Sequence, residues 1–249
     1  MKLSHKLQKL FDFDVLVSVW EHASRWTHPV NTARIFRSLD DLDFESIRER
    51  APYRPNPRRI RKFINLIQDL WLDRTPPLEV LDLGCGAGYF LYICKLFGHN
   101  GIGLDMDERP LYRETLPLLN VHRVVYRIEA QVSLPDFRQR FDLVTASRVC
   151  FHIKRWPEIS PLVEWTSEDW RFFINDVRSR VLKPHGRVFL QFNPRPDDSP
   201  FFTSELRRCF LSEGARIVRS KALFVADPTC FPRFKQTERP KSRMLALFP

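Results

Sequence analysis

The chain is predicted to adopt an α/β fold: a seven-stranded, mostly parallel sheet with helices on both faces, an antiparallel edge hairpin and a helical N-terminal cap. Three observations predict this. From Leu78 onward, short apolar segments alternate with amphipathic helical patterns, the order that lays crossover helices over a parallel sheet. A glycine-rich turn, LGCGAG, stands directly behind the first of those segments. With 249 residues, 43% of them hydrophobic, there is enough apolar surface to bury a full core.

In residues 1–77 the pattern is helical and irregular. Within RRIRKFINLIQDLWLD, the residues Ile60, Phe63, Ile64, Ile67, Leu70 and Trp71 recur at helical spacing and give one buried face. The preceding RAPYRPNPRR holds too many prolines for a helix, and TPP at 75–77 breaks the chain. Strands are then expected at 78–83, 101–105, 121–128, 141–146, 187–192, 215–219 and 223–226, the last two pairing as the edge hairpin. The helical pattern EDWRFFINDVRSRVL is entered through Thr166 or Ser167 as cap. Residues 227–249 return to basic, proline-containing coil. The expected division is therefore an N-terminal cap or substrate-binding segment at 1–77, a nucleoside-cofactor domain at 78–226 and a tail at 227–249.

No stretch approaches the roughly 18 apolar residues of a membrane span, and Asp12 and Asp14 interrupt the N-terminal apolar run where a signal peptide needs continuity. A soluble, cytoplasmic protein is expected. The five cysteines show no metal-ligand or disulfide spacing, and a reducing compartment suits them. A net charge of +10 favours an acidic partner, whether nucleic acid, anionic lipid or an anionic small molecule.

The glycine turn discriminates between cofactors. Counted from Gly84, the third glycine of a dinucleotide fingerprint should fall at Tyr89, which is too large for close helix packing. A triphosphate loop needs Lys followed by Ser or Thr, whereas Phe90 and Leu91 follow Tyr89. What stands here is a strand, then DLGCGAG, then a helix and a second strand ending in GIGLDMD. This resembles the class I S-adenosylmethionine-dependent methyltransferases, with Asp82, Gly84, Gly86 and Gly88 on their first motif. The resemblance covers about residues 78–226 and implies a Rossmann-like methyltransferase fold and S-adenosyl-L-methionine as cofactor.

Physical chemistry agrees with the assignment. Glycines let the backbone pass beneath the methionyl part, and free amides at a helix start favour its carboxylate. Asp82 is placed to organise the loop amides and face the amino group, and Asp105 to accept both ribose hydroxyls. Met106 offers a soft apolar surface to the adenine. Where many relatives carry an acidic residue beside the adenine, this chain has Ala130, which shifts that contact to Gln131 or to backbone amides.

His152 follows the fourth strand, at the carboxyl edge where open α/β sheets bind ligands, and is the candidate general base. Arg54, Arg58 and Arg59 are the candidate substrate-recognising cations, and Trp156, in the long segment KRWPEISPLVEW, a candidate substrate wall. No Asn-Pro-Pro-Tyr-like sequence follows the fourth strand, and Cys150 lacks a preceding proline, which argues against adenine-amino and cytosine-5 chemistry. The expected reaction is metal-free O-methylation of a small-molecule or glycan-like, anionic acceptor. RNA is the rival acceptor, disfavoured by the lack of an RRM or KH signature. A non-enzymatic scaffold, or peripheral contact with an anionic membrane through the amphipathic start, is the other class.

Overall fold

Ile60, Ile64 and Ile67 line one side of a helix, and along that side the N-terminal part of the chain enters the core. The computed structural model describes residues 29–44, 56–154, 163–193 and 202–225. It opens with α1 (Pro29–Asp40) and α2 (Pro57–Asp69). Asn56 caps α2 by accepting the Arg58 amide at 2.9 Å, and Pro57 supplies the fixed φ of a first helical position. The helix ends before the expected Trp71, which turns into the left-handed region at φ 60.

The sheet strands and their crossovers follow as β1 (Glu79–Leu83), α3 (Tyr89–Leu96), β2 (Asn100–Asp105), α4 (Pro110–Leu118), β3 (His122–Val125) and β4 (Phe141–Ser147). Two short strands, β5 (Ile153–Lys154) and β6 (Val163–Glu164), pair antiparallel apart from the main sheet. Then come α5 (Ser167–Asp176), β7 (Leu182–Gln191), α6 (Ser204–Ser212), β8 (Arg216–Val218) and β9 (Lys221–Val225). Thr166 caps α5 in a reciprocal box with Asp169, as its sequence position predicts.

The seven strands lie in the order β3-β2-β1-β4-β7-β9-β8. All pairings from β3 to β7 are parallel, and β9 runs antiparallel to both neighbours. The expected seven-stranded mixed sheet is therefore present, with β9 inserted between β7 and β8. The chain leaves β1 in one direction for β2 and β3, then crosses to the other side for β4. That reversal opens a crevice at the carboxyl ends of β1 and β4.

Two expected strands differ in extent. The third ends at Val125, and residues 126–128 lie outside the sheet. In β7, Leu182 pairs with Phe141 and Arg187 with Leu143, so residues 183–186 form an excursion where the turn before the fifth parallel strand was expected.

Each face of the sheet has its own core. On one face Leu81, Leu83 and Val188 meet Trp170 and Phe173 of α5 and Phe210 of α6. On the other, Val80, Leu143 and Phe189 meet α1, α2 and α3 through Ile35, Ile64 and Phe90. Helix α2 thus shares a core with the sheet across the division expected at residue 77. Among the described residues no helix is long and apolar enough to cross a membrane.

Candidate functional site

Five residues carry the chain from the end of β1 into α3. Gly84 has φ 69, and a Cβ there would lie 2.5 Å from a Val149 methyl carbon. Gly88, the N-cap of α3, has φ 81, and a Cβ there would lie 2.7 Å from a Leu116 methyl carbon. Both positions combine a left-handed backbone with no side-chain space, so glycine is required. Between them, the Gly86 amide donates to Asp105 Oδ2 at 2.6 Å. The loop is thereby locked to the end of β2 by Asp105, whereas Asp82 binds elsewhere.

Asp82 is buried, and its Oδ1 accepts the Thr145 hydroxyl at 2.7 Å from β4. Burial pushes its carboxyl up to about 7; the Thr145 hydrogen bond opposes the rise and the nearby Asp105 adds to it. The Asp105 carboxyl is also raised by burial, against the amides of Gly86 and Met106 and the charge of Arg123. Two adjacent carboxyls with depleted solvation make a place where cationic and hydroxyl groups of a ligand are welcome.

Two cavities open at this edge. The first, about 460 Å³, is lined by Asp105, Met106, Tyr126, Ile128, Ala130 and Gln131 among others. The second, about 790 Å³, lies under α2 and is lined by Asp82, Tyr89, Ser147, Gln191, Arg58 and Arg59 among others. Among the described residues Gly84 is the one common to both walls. Seven of the eight expected cofactor residues line these two linked chambers, with Gly86 bridging to Asp105 through its amide, while Gly88 lines neither and caps α3.

The glycine cradle and the carboxyls at its two ends fit S-adenosylmethionine: Asp105 and the first cavity suit a nucleoside, and Asp82 suits an amino group. Ala130 and Ile128 give the first cavity apolar walls beside Met106. Gln131 sits at φ 59 and its Nε2 donates to Asp169 Oδ1 at 3.1 Å. Asp169, also in that wall, already accepts the amide and hydroxyl of Thr166, so its carboxylate is committed to the α5 cap.

The substrate-side expectations fare differently. Arg58 and Arg59 line the second cavity, whereas Arg54 and Trp156 lie outside the described residues. His152 is buried in an aromatic cluster, stacked on Trp170 at 6.2 Å and edge-on to Phe192 at 5.5 Å. It lines neither cavity. The structure does not bring this ring to the ligand-binding edge expected for a general base; the strand-exit rule locates the backbone, and here the side chain turns inward. Trp165 likewise anchors into this cluster, 5.1 Å from Trp170.

Sequence reasoning missed Arg148, Arg219, Ser147 and Gln191 in the second wall. Arg148 and Ser147 were available to the same strand-exit rule that selected His152. Gln191 ends β7 and pairs directly with Ser147 of β4, whereas Arg219 comes from the far edge of the sheet, where the β9 insertion brings it near.

Comparison with known proteins gives the class. The family model described as a methyltransferase domain matches residues 54–219, more than half of the chain. The ubiquinone biosynthesis O-methyltransferases of Pseudomonas putida and Dechloromonas aromatica are each 30% identical, over 131 and 144 residues. Those alignments cover 51% and 56% of this chain and 50% and 56% of the relatives, so the chain spans about half the length of the curated relatives it matches. A solved magnesium protoporphyrin IX methyltransferase from Synechocystis is 15% identical, with a TM-score of 0.45 over 66% of this chain and 80% of that one.

The chain belongs to the methyltransferase-domain family, of the class I S-adenosylmethionine-dependent type.

Proposed function

We propose that this protein transfers the methyl group of S-adenosylmethionine to an oxygen of a small-molecule or glycan-like acceptor. The observation that carries the reading is the pair of cavities meeting at Gly84, one ending in Asp105 and the other in Asp82. In this reading Asp105 holds the ribose hydroxyls, Met106 and Ala130 flank the adenine, and Asp82 faces the amino group. The inner part of the second cavity, at Asp82 and the glycine loop, holds the cofactor's methionyl end, and its outer part, toward α2 and the β8–β9 turn, receives the acceptor.

When bound, the cofactor supplies a methyl group on a sulfonium centre. Transfer would break the carbon–sulfur bond with its electron pair left on sulfur and form a carbon–oxygen bond to the acceptor, whose hydroxyl proton would pass to water. The chain's own task is to hold the acceptor oxygen in line, a service worth roughly 7–11 kcal/mol in well-oriented systems. Its rigid parts at that point are the glycine loop, tied to β2 through Asp105, and β4, tied to β1 through Thr145. His152 is left out of the proton path because its ring is packed in the core.

Calorimetric titration with S-adenosylhomocysteine tests the cofactor half: Asp105→Ala and Asp82→Ala should each abolish measurable binding, and unchanged affinity in both would sink it. A screen for S-adenosylhomocysteine release across hydroxylated acceptors tests the transfer itself. Binding without release on any acceptor would favour a cofactor-binding scaffold.

A further inference from the structure

Among the described residues six cations line the second cavity from separate parts of the chain: Arg58, Arg59 and Lys62 from α2, Arg148 from the exit of β4, Arg219 from the β8–β9 turn and Lys221 from the start of β9. Among the described residues Arg58, Lys62, Arg148 and Arg219 are not paired with a carboxylate. Both acidic side chains described in that wall are already engaged, Asp69 by the wall's own Lys221. Asp69 Oδ2 accepts Lys221 Nζ at 2.6 Å, and Asp82 accepts Thr145. Positive charge gathered around a concavity raises the local concentration of anions, an effect a scattered basic surface lacks.

The backbone adds an independent sign. Arg148 and Arg219 both hold left-handed φ, at 60 and 52, which non-glycine residues adopt only when their surroundings force them. Each is forced from two sides. The Arg148 amide donates to the Gln191 carbonyl at 2.7 Å while its own carbonyl accepts Asn193 Nδ2 at 2.9 Å. Arg219 opens a two-residue turn closed by the Val218–Lys221 pair, with the Ser220 carbonyl accepting the Phe192 amide at 2.9 Å. Glycine is the common residue at such a turn position, so an arginine there holds a backbone conformation that costs free energy.

We propose that the methyl acceptor is an anionic small molecule whose carboxylate or phosphate is gripped in the second cavity by Arg148 and Arg219, with Arg58 and Lys62 reinforcing the field around it. Two guanidinium forks suit the planar or tetrahedral oxygens of such groups better than point charges do. The inference rests on the proposed reading only for calling the occupant an acceptor; anion capture itself stands apart from turnover.

The test titrates inorganic phosphate and, in a parallel arm, malonate into protein saturated with S-adenosylhomocysteine. Saturable binding of either is expected, the tighter one naming the oxyanion class. The variant Arg148→Gln/Arg219→Gln should weaken it by about tenfold or more, while Arg207→Gln/Arg208→Gln, on the exposed face of α6, should leave it unchanged. Equal losses in both variants, or no saturable binding to the wild type, would overturn the proposal. So would binding of a short single-stranded RNA retained by the Arg148/Arg219 variant with phosphate and malonate unbound. S-adenosylhomocysteine affinity, measured first on each variant, reports folding. Its absence in the wild type defeats the methyltransferase reading, and its presence without anion binding defeats only this inference.

Discussion

Asp82 is a carboxyl that burial has nearly deprived of water, and its behaviour with pH follows from that. Its ordinary value is 3.8 and burial raises it to about 7. Between those values the folded chain holds a proton that the unfolded chain has released, so this residue's contribution to stability is fully present at low pH and is lost as pH rises through about 7. A cationic ligand group has the opposite preference, because it binds the ionised form. Thermal melts of the cofactor-free protein should therefore lose stability from about pH 4 to about pH 7 and level off above, while cofactor affinity rises over the same interval. Asp82→Asn should flatten both slopes and weaken binding; slopes identical to wild type would assign the titration to another group. The glycine loop admits an equally specific test. Gly84→Ala places a methyl against Val149 on a left-handed backbone and should cost about 1–3 kcal/mol in chemical denaturation. Val149→Ala in the same chain should recover part of that cost, leaving the backbone strain. The loop was legible because spacing and chemistry coincide there. His152 shows what was not: a strand exit fixes where a residue's backbone stands, and the aromatic pocket of Trp170 and Phe192 decides where its ring goes.

At the scale of elements, local signals and long-range ones separate cleanly. The Thr166 box declares itself within four residues, and Thr166→Ala should cost about 1 kcal/mol by melting the first turn of α5. The true end of β3 has no such signal. Tyr126 and Ile128 continue an alternating pattern, yet they line the first cavity instead of pairing in the sheet; apolar alternation is the same whether a side chain faces a core or a ligand. The excursion at 183–186 is equally silent, since it depends on where β4 stands. One tie between elements is carried by a single imidazole. His99 Nδ1 accepts the Leu78 amide at 3.1 Å, and Nε2 donates to the Leu72 carbonyl at 2.6 Å, closing the segment between α2 and β1. His99→Ala leaves both backbone groups without this partner and should destabilise by about 1–3 kcal/mol, read from denaturant midpoints. In the β8–β9 hairpin, Arg219→Gly should hold or raise stability by relieving the turn, in the same protein that loses anion capture. A loss of stability instead would mean that the turn is not strained.

Across the whole molecule, the mostly parallel sheet with its antiparallel edge hairpin was readable from alternation, whereas the β9 insertion that delivers Arg219 to the second cavity was not, because a hairpin can dock by either strand. The same insertion links distant parts of the chain: Lys221 reaches Asp69 at the end of α2. Lys221→Met should free that carboxylate into the second cavity and weaken phosphate binding without touching the first cavity, which titration of the variant would show. Among the described residues the two chambers share one, Gly84, and it has no side chain. On the proposed assignment, single substitutions around α2 and the β8–β9 turn would exchange one acceptor for another while leaving the nucleoside wall and its methyl donor untouched.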